Sequence, residues 1–140
     1  MTSRFHPALT LVMLTVFAGA GAAPALAHHS FAMFDPAKVT VLTGVVKDFE
    51  WSNPHVSLEV LVPGAHGGAA ESWNVELTSP GNLTRLGWTR HSLKPGDHVA
   101  VEVNPLRNGQ HAGGFRKVTL TDTGQVLGGA LRDLEKPNVQ

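Results

Sequence analysis

One change of period constrains this fold more than any other feature of the sequence. From Val39 to Leu77 apolar and polar residues alternate in three runs, as in half-buried strands. At Ser79 the spacing turns helical for two turns, and after Pro95 the alternation resumes. Ser79 is a good N-cap, Pro80 suits the first helical position, and Gly87 suits the stop. Leu83 and Leu86 give this short helix one apolar stripe, and two turns are too few to stand without packing on a sheet.

The strands around that helix define the topology. Val39 to Trp51 is long for one strand. Val39, Val41, Val45, Phe49 and Trp51 share one parity, while Leu42 and Val46 lie on the other. Gly44 marks a bulge or sharp bend, as expected where one strand serves two sheets of a small barrel. Ser52-Asn53-Pro54 is a turn, Val56 to Val62 a second strand, and Pro63 to Gly68 a flexible hairpin loop. Glu71 to Leu77 is the third strand, with Trp73, Val75 and Leu77 inward and Ser72, Asn74 and Glu76 outward. Lys94-Pro95-Gly96-Asp97 turns into a fourth strand carrying Val99, Val101 and Val103. A loop containing Gly113-Gly114 precedes the last strand, Phe115 to Leu120, and Gln125 to Leu127 fold back as a small hairpin. The order strand, strand, strand, helix, strand, strand predicts an all-β domain with one short helix, an OB-fold-like five-stranded barrel. An open meander or two-sheet sandwich built from the same strands is the rival.

Residues 1–27 read as a cleaved export signal, which implies a periplasmic or secreted protein. Arg4 supplies the positive start, Ala8 to Ala20 the apolar run, and Ala25-Leu26-Ala27 the small-x-small cleavage site. Their removal takes one arginine and one histidine and leaves 113 residues with 10 basic and 11 acidic side chains, a net charge of −1. The expected organisation is an arm over 28–38, a barrel over 39–127 and a C-terminal tail over 128–140. One compact domain fits that length, and no later stretch is apolar enough to span a bilayer. The near-neutral balance lacks the basic footprint of a nucleic-acid binder. With no cysteine in the chain, disulfide frameworks, iron–sulfur clusters and thiolate metal sites are excluded. The domain is held by its core, or by its core and a metal bound through nitrogen and oxygen.

Three separated motifs carry a family resemblance. They are His28-His29-Ser30-Phe31, the strand Thr43-Gly44-Val45 with the turn Trp51-Ser52-Asn53-Pro54-His55, and the run from Ser79 through Gly87-Trp88-Thr89-Arg90 to Ser92-Leu93-Lys94-Pro95-Gly96-Asp97. Over residues 28–127 the chain resembles a domain-of-unknown-function family of small exported bacterial proteins. Val56 and Ser57 depart from relatives that often carry an aromatic residue after the Asn-Pro-His turn, which argues against a stacking surface there. The resemblance implies export and assigns no activity.

Seven of the eight histidines follow the export signal, and they carry the chemistry. Cleavage after Ala27 would make His28 the first residue. Its α-amine, with a pKa near ~8, and its imidazole can then chelate one ion. A second imidazole completes three nitrogens in a T-shaped or tetragonal set, which suits Cu(II) and discriminates against Mg²⁺ and Ca²⁺. His55, held by the Asn53-Pro54 turn, is the expected partner, and His29 the alternative. The leading expectation is therefore a copper ion on His28, His29 and His55. Closing such a site orders the terminus at ~1–2 kcal/mol per residue, which Phe31, Met33 and Phe34 could offset by docking into the barrel. Met33 fits either a soft axial ligand favouring Cu(I) or a gap-filling core role.

Plainer readings stand beside these. His28 and His29 can be polar residues tolerated at a cleavage site. Trp51 can cap a barrel end while His55 bonds a nearby carbonyl, a role compatible with ligation through the other ring nitrogen. His66 and His111 fall in glycine-rich loops as solvated residues, and His98 faces away from the valines. Glu76, Arg85 and Arg90 flank the helix as an ion pair, a small anion site or a solvated surface; exposed pairs contribute only ~0–1 kcal/mol. Trp73 and Trp88 read as core. Gly-x-Ser-x-Gly and Ser-x-x-Lys are absent, so nothing indicates an enzyme. A metal-free module binding an envelope partner is the second reading, and a haem carrier using His91 or His98 the third.

Overall fold

The computed structural model describes residues 31–129. Within them the strands are β1 (Thr40–Glu50), β2 (Ser57–Val62), β3 (Glu71–Glu76), β4 (His98–Pro105), β5 (Ala112–Leu120) and β6 (Val126–Gly128), with one helix, α1 (Pro80–Arg85), between β3 and β4. The hydrogen-bonded order is β3-β2-β1-β4-β5-β6. A parallel pairing of β3 with β5, Asn74 to Ala112 through Glu76 to Gly114, closes the first five strands into a barrel. This is the OB-like topology, and the open meander and the sandwich are excluded by that closure.

β1 serves two neighbours in succession. Thr40 to Val45 pairs with β4, and Val45 to Glu50 pairs with β2. The switch falls next to Gly44, as expected, but the bulge does not. It lies at Lys47, between Val46 and Asp48. The extra residue flips the side-chain parity. Leu42 and Val46 therefore enter the core before it, whereas Phe49 and Trp51 pack against the core after it. Val41, on the better-populated parity, is 58% exposed. A second bulge at Arg116 does the same for β5, so Val118 and Phe115 both pack inward.

Gly44 serves close approach. A Cβ there would fall onto the Leu61 carbonyl of β2. Gly44→Ala is expected to cost about 1–3 kcal/mol, the usual penalty for overpacking, read as a lower denaturant midpoint at unchanged slope. Gly113 and Gly114 correct another expectation: they begin β5 and are not loop. A Cβ on Gly113 would lie 2.8 Å from the Val103 side chain, and one on Gly114 would lie 3.0 Å from the Phe34 ring. Glycine is needed here because other side chains fill the space.

α1 follows the punctuation of its sequence. The Ser79 hydroxyl accepts from the Asn82 amide, Pro80 opens the helix, and Gly87 takes a φ of +87°. Leu83 is fully buried and joins Leu58, Val60, Val75, Trp88, Leu93, Val99 and Val101 in one core. Trp88 also donates from Nε1 to the Gly128 carbonyl at 2.9 Å. Ordered packing thus reaches Gly128, a residue expected in the tail. Outside the barrel, Lys47 and Ser72 both donate to Glu59. These two bonds, the lysine's first, hold the Glu59 carboxyl below the usual carboxylate range. No helix among the described residues is long and apolar enough to cross a membrane.

Candidate functional site

A cleft of about 370 Å³ opens between the β1–β2 turn, the end of β3 and the β4–β5 loop, and the N-terminal arm packs into the same place. Met33, Phe34, Pro54, His55, Glu76 and Leu106 are among its walls. Barrels of this topology bind ligands on the face framed by these two loops, and a mostly apolar wall with a few converging polar groups is the usual make-up of a ligand site.

The backbone places His55. The Val56 amide donates to the Thr78 carbonyl at 3.1 Å, and the Leu77 amide donates back to Val56 at 2.8 Å. These bonds fasten the turn to the end of β3, and the Asn53–Pro54 peptide within it is cis. His55 therefore stands beside Glu76, with Nδ1 3.1 Å from Oε1, and both side chains are half-buried. The plainer reading of His55 gave it a carbonyl partner; its partner is a carboxylate. The grouping of Glu76 with Arg85 and Arg90 is corrected by the same contact. Arg85 donates instead to the Asn82 side chain. A carboxylate at Nδ1 leaves Nε2 as the ring nitrogen turned to other work, the arrangement that orients metal-binding histidines.

The arm is pinned at several points. Phe34 bridges to Leu106 and is 6% exposed. The Asp35 amide donates to Pro105 at 2.9 Å, and the Arg107 amide donates to Met33 at 3.0 Å. Arg107 Nε reaches the Ala32 carbonyl at 3.2 Å, and the Asn104 side chain donates to Lys38 at 2.7 Å. Nothing near Asn104 or Arg107 in the sequence marks them as anchors, because the arm they hold is some 70 residues away in the chain. Met33 does not fill the core: the residue is 42% exposed.

His28 and His29 lie outside the described residues, as does the expected export signal. Among the described residues, no three His, Cys, Asp or Glu side chains gather closely enough to hold a metal ion. The other histidines have separate settings. His111 stacks on Trp73 with ring centroids 4.9 Å apart, and its Nε2 lies 3.5 Å from Glu71. It is therefore a cover for Trp73, not merely a solvated loop residue. His98 meets Asp122 at 3.1 Å. The depression His98 shares with His91 is lined by Ser92, Lys94, Asp97, Asp122 and Thr123, with Leu120 as its apolar member.

No curated protein matches the sequence. By structure the chain is similar to a mitochondrial single-stranded DNA binding protein from S. cerevisiae, Rim1, at 12% identity and a TM-score of 0.47, over 60% of this chain and 93% of that one. A family model matches residues 16–116, well over half of the sequence, and the chain belongs to that family of unknown function, DUF6152.

Proposed function

We propose that this is an exported, single-domain copper-binding protein that holds or delivers the ion without turnover. The ligands are the α-amine and imidazole of His28, freed by cleavage after Ala27, and the imidazole of His55, with His29 assisting. The observation that supports this reading is the Glu76 carboxylate 3.1 Å from His55 Nδ1, at the cleft where the arm is pinned. A carboxylate there fixes the orientation of the ring and its tautomer. Covalent geometry keeps His28 within about 11 Å of Phe31, where the described chain begins. The arm is already docked at Phe34, so fewer residues lose their freedom when the ion binds. Three nitrogens give Cu(II) the donors it favours, and the hard cations Mg²⁺ and Ca²⁺ find no oxygen-rich shell.

The test compares protein beginning at His28 with a version carrying one added N-terminal glycine, and with His55→Ala. The parent is expected to bind Cu(II) with a nitrogen-rich paramagnetic spectrum. Each change should lower affinity by more than the about 10–100-fold typical of losing an outer-shell partner, and Glu76→Gln should fall within that range. Parental affinity in both the glycine-extended protein and His55→Ala would overturn the proposal. The mass of the exported protein, measured on the same sample, identifies its first residue.

A further inference from the structure

Met33 occupies an odd position for a methionine. The backbone around it is fixed on both sides: its carbonyl accepts from the Arg107 amide at 3.0 Å, and two residues on the Asp35 amide donates to Pro105 at 2.9 Å. Its neighbour Phe34 takes the apolar seat beside Leu106 and Gly114. Met33 is left 42% exposed at the wall of the His55 cleft. Apolar surface is stabilising when it is withdrawn from water, and this position forgoes part of that gain. A thioether in the wall of a cleft that an imidazole and a carboxylate also line has a chemical use that a core methionine lacks.

We propose that Met33 is a metal ligand and that its sulfur, with the His55 imidazole, makes this cleft a Cu(I) site. The choice of copper rests on the reading above, but the donor set does not, since neither Met33 nor His55 depends on a free terminal amine. A thioether is soft, uncharged and unaffected by pH, and it selects Cu(I) over Cu(II) and over hard cations. His55 Nε2 is the nitrogen turned away from Glu76, and the Glu76 carboxylate offsets the charge of a monovalent ion nearby. The two donor sets share His55. The sulfur favours the cuprous ion, so the pair Met33 and His55 selects for that state whatever the terminus does. The proposal concerns binding alone and requires no electron transfer within the protein.

The experiment measures Cu(I) and Cu(II) affinity separately in the parent, the glycine-extended protein and Met33→Leu. Cu(I) is held reduced by ascorbate without oxygen and competed with a chromophoric chelator, and Ag(I) serves as a redox-inert probe. Cu(II) is read by its paramagnetic spectrum. Leucine keeps the size and apolar character of Met33, so thermal unfolding should not move. Met33→Leu is expected to weaken Cu(I) and Ag(I) by about 10–100-fold or more, the scale set by losing a weaker, outer-shell group, and to leave the Cu(II) spectrum unchanged. The glycine extension should do the opposite. Unchanged Cu(I) and Ag(I) affinity in Met33→Leu overturns the role of Met33, whatever Cu(II) does. Loss of Cu(I) in Met33→Leu with full Cu(II) binding in the extended protein supports Met33 and sinks the terminal-amine reading instead.

Discussion

Replacing Trp88 with alanine is expected to lower the unfolding free energy by about 3–5 kcal/mol, the range for truncating a buried aromatic. Trp88 is fully buried beside α1, and its ring joins three parts of the barrel. It meets Phe115 of β5 edge-on at 5.5 Å and lies 6.2 Å from Phe49 of β1. Its Nε1 donates to the Gly128 carbonyl of β6. Alanine would leave a cavity where strands from both sides of the barrel converge, and would strand a carbonyl. Trp88→Phe separates the two effects: it retains most of the packing and loses the hydrogen bond, which is worth about 1 kcal/mol. Domains of this size are stable by only about 5–15 kcal/mol, so the alanine variant should sit near the edge of folding. Denaturant unfolding measures the loss, and hydrogen exchange in β6 should rise first in the phenylalanine variant. A loss below about 1 kcal/mol for alanine would mean that the core closes without this residue.

The elements were legible where local physics decides them. Ser79, Pro80 and Gly87 punctuate α1 through capping and backbone preference alone, and the alternating valines of β4 point one way along an unbroken strand. The failures share one cause, contacts between residues far apart in sequence. Lys47 carries no mark of a bulge, yet the extra residue decides that Leu42 and not Val41 is buried. Gly113-Gly114 looked like loop because glycine is the usual loop residue; its reason is the bulk of Val103 and Phe34 from other parts of the chain. The candidate site divides in the same way. The Trp-x-Asn-Pro-His run does put His55 at the surface of a cleft. Sequence alone groups its partner Glu76 with Arg85 and Arg90 as a pair, an anion site or a solvated surface, because the pairing of β2 with β3 that brings it to His55 follows from a register no local pattern encodes.

Phe34→Ala is expected to separate the stability of the barrel from the competence of the cleft. A buried phenylalanine truncated inside a core costs about 3–5 kcal/mol, and Phe34 fills its seat against Gly114 and Leu106. Yet the arm precedes β1 and can let go of the barrel without dismantling it. The global loss is then capped at the docking energy of the arm and should fall below that range, while the arm opens locally. Two amides report this directly. Those of Asp35 and Arg107, which bond across the junction, should lose protection before any strand amide of β1 or β4. On the copper-binding proposal, the ion would then have to order the freed arm itself, at about 1–2 kcal/mol for each residue fixed. Two such residues correspond to an affinity loss of about 30–1,000-fold, with His55 and Glu76 untouched. The opposite pattern, parental protection at Asp35 and Arg107 with an equal loss of stability in every strand, would make arm and barrel one cooperative unit. In that case pre-docking of the arm gives the ion no separate advantage, and the affinity of the cleft should follow only the fraction of molecules folded.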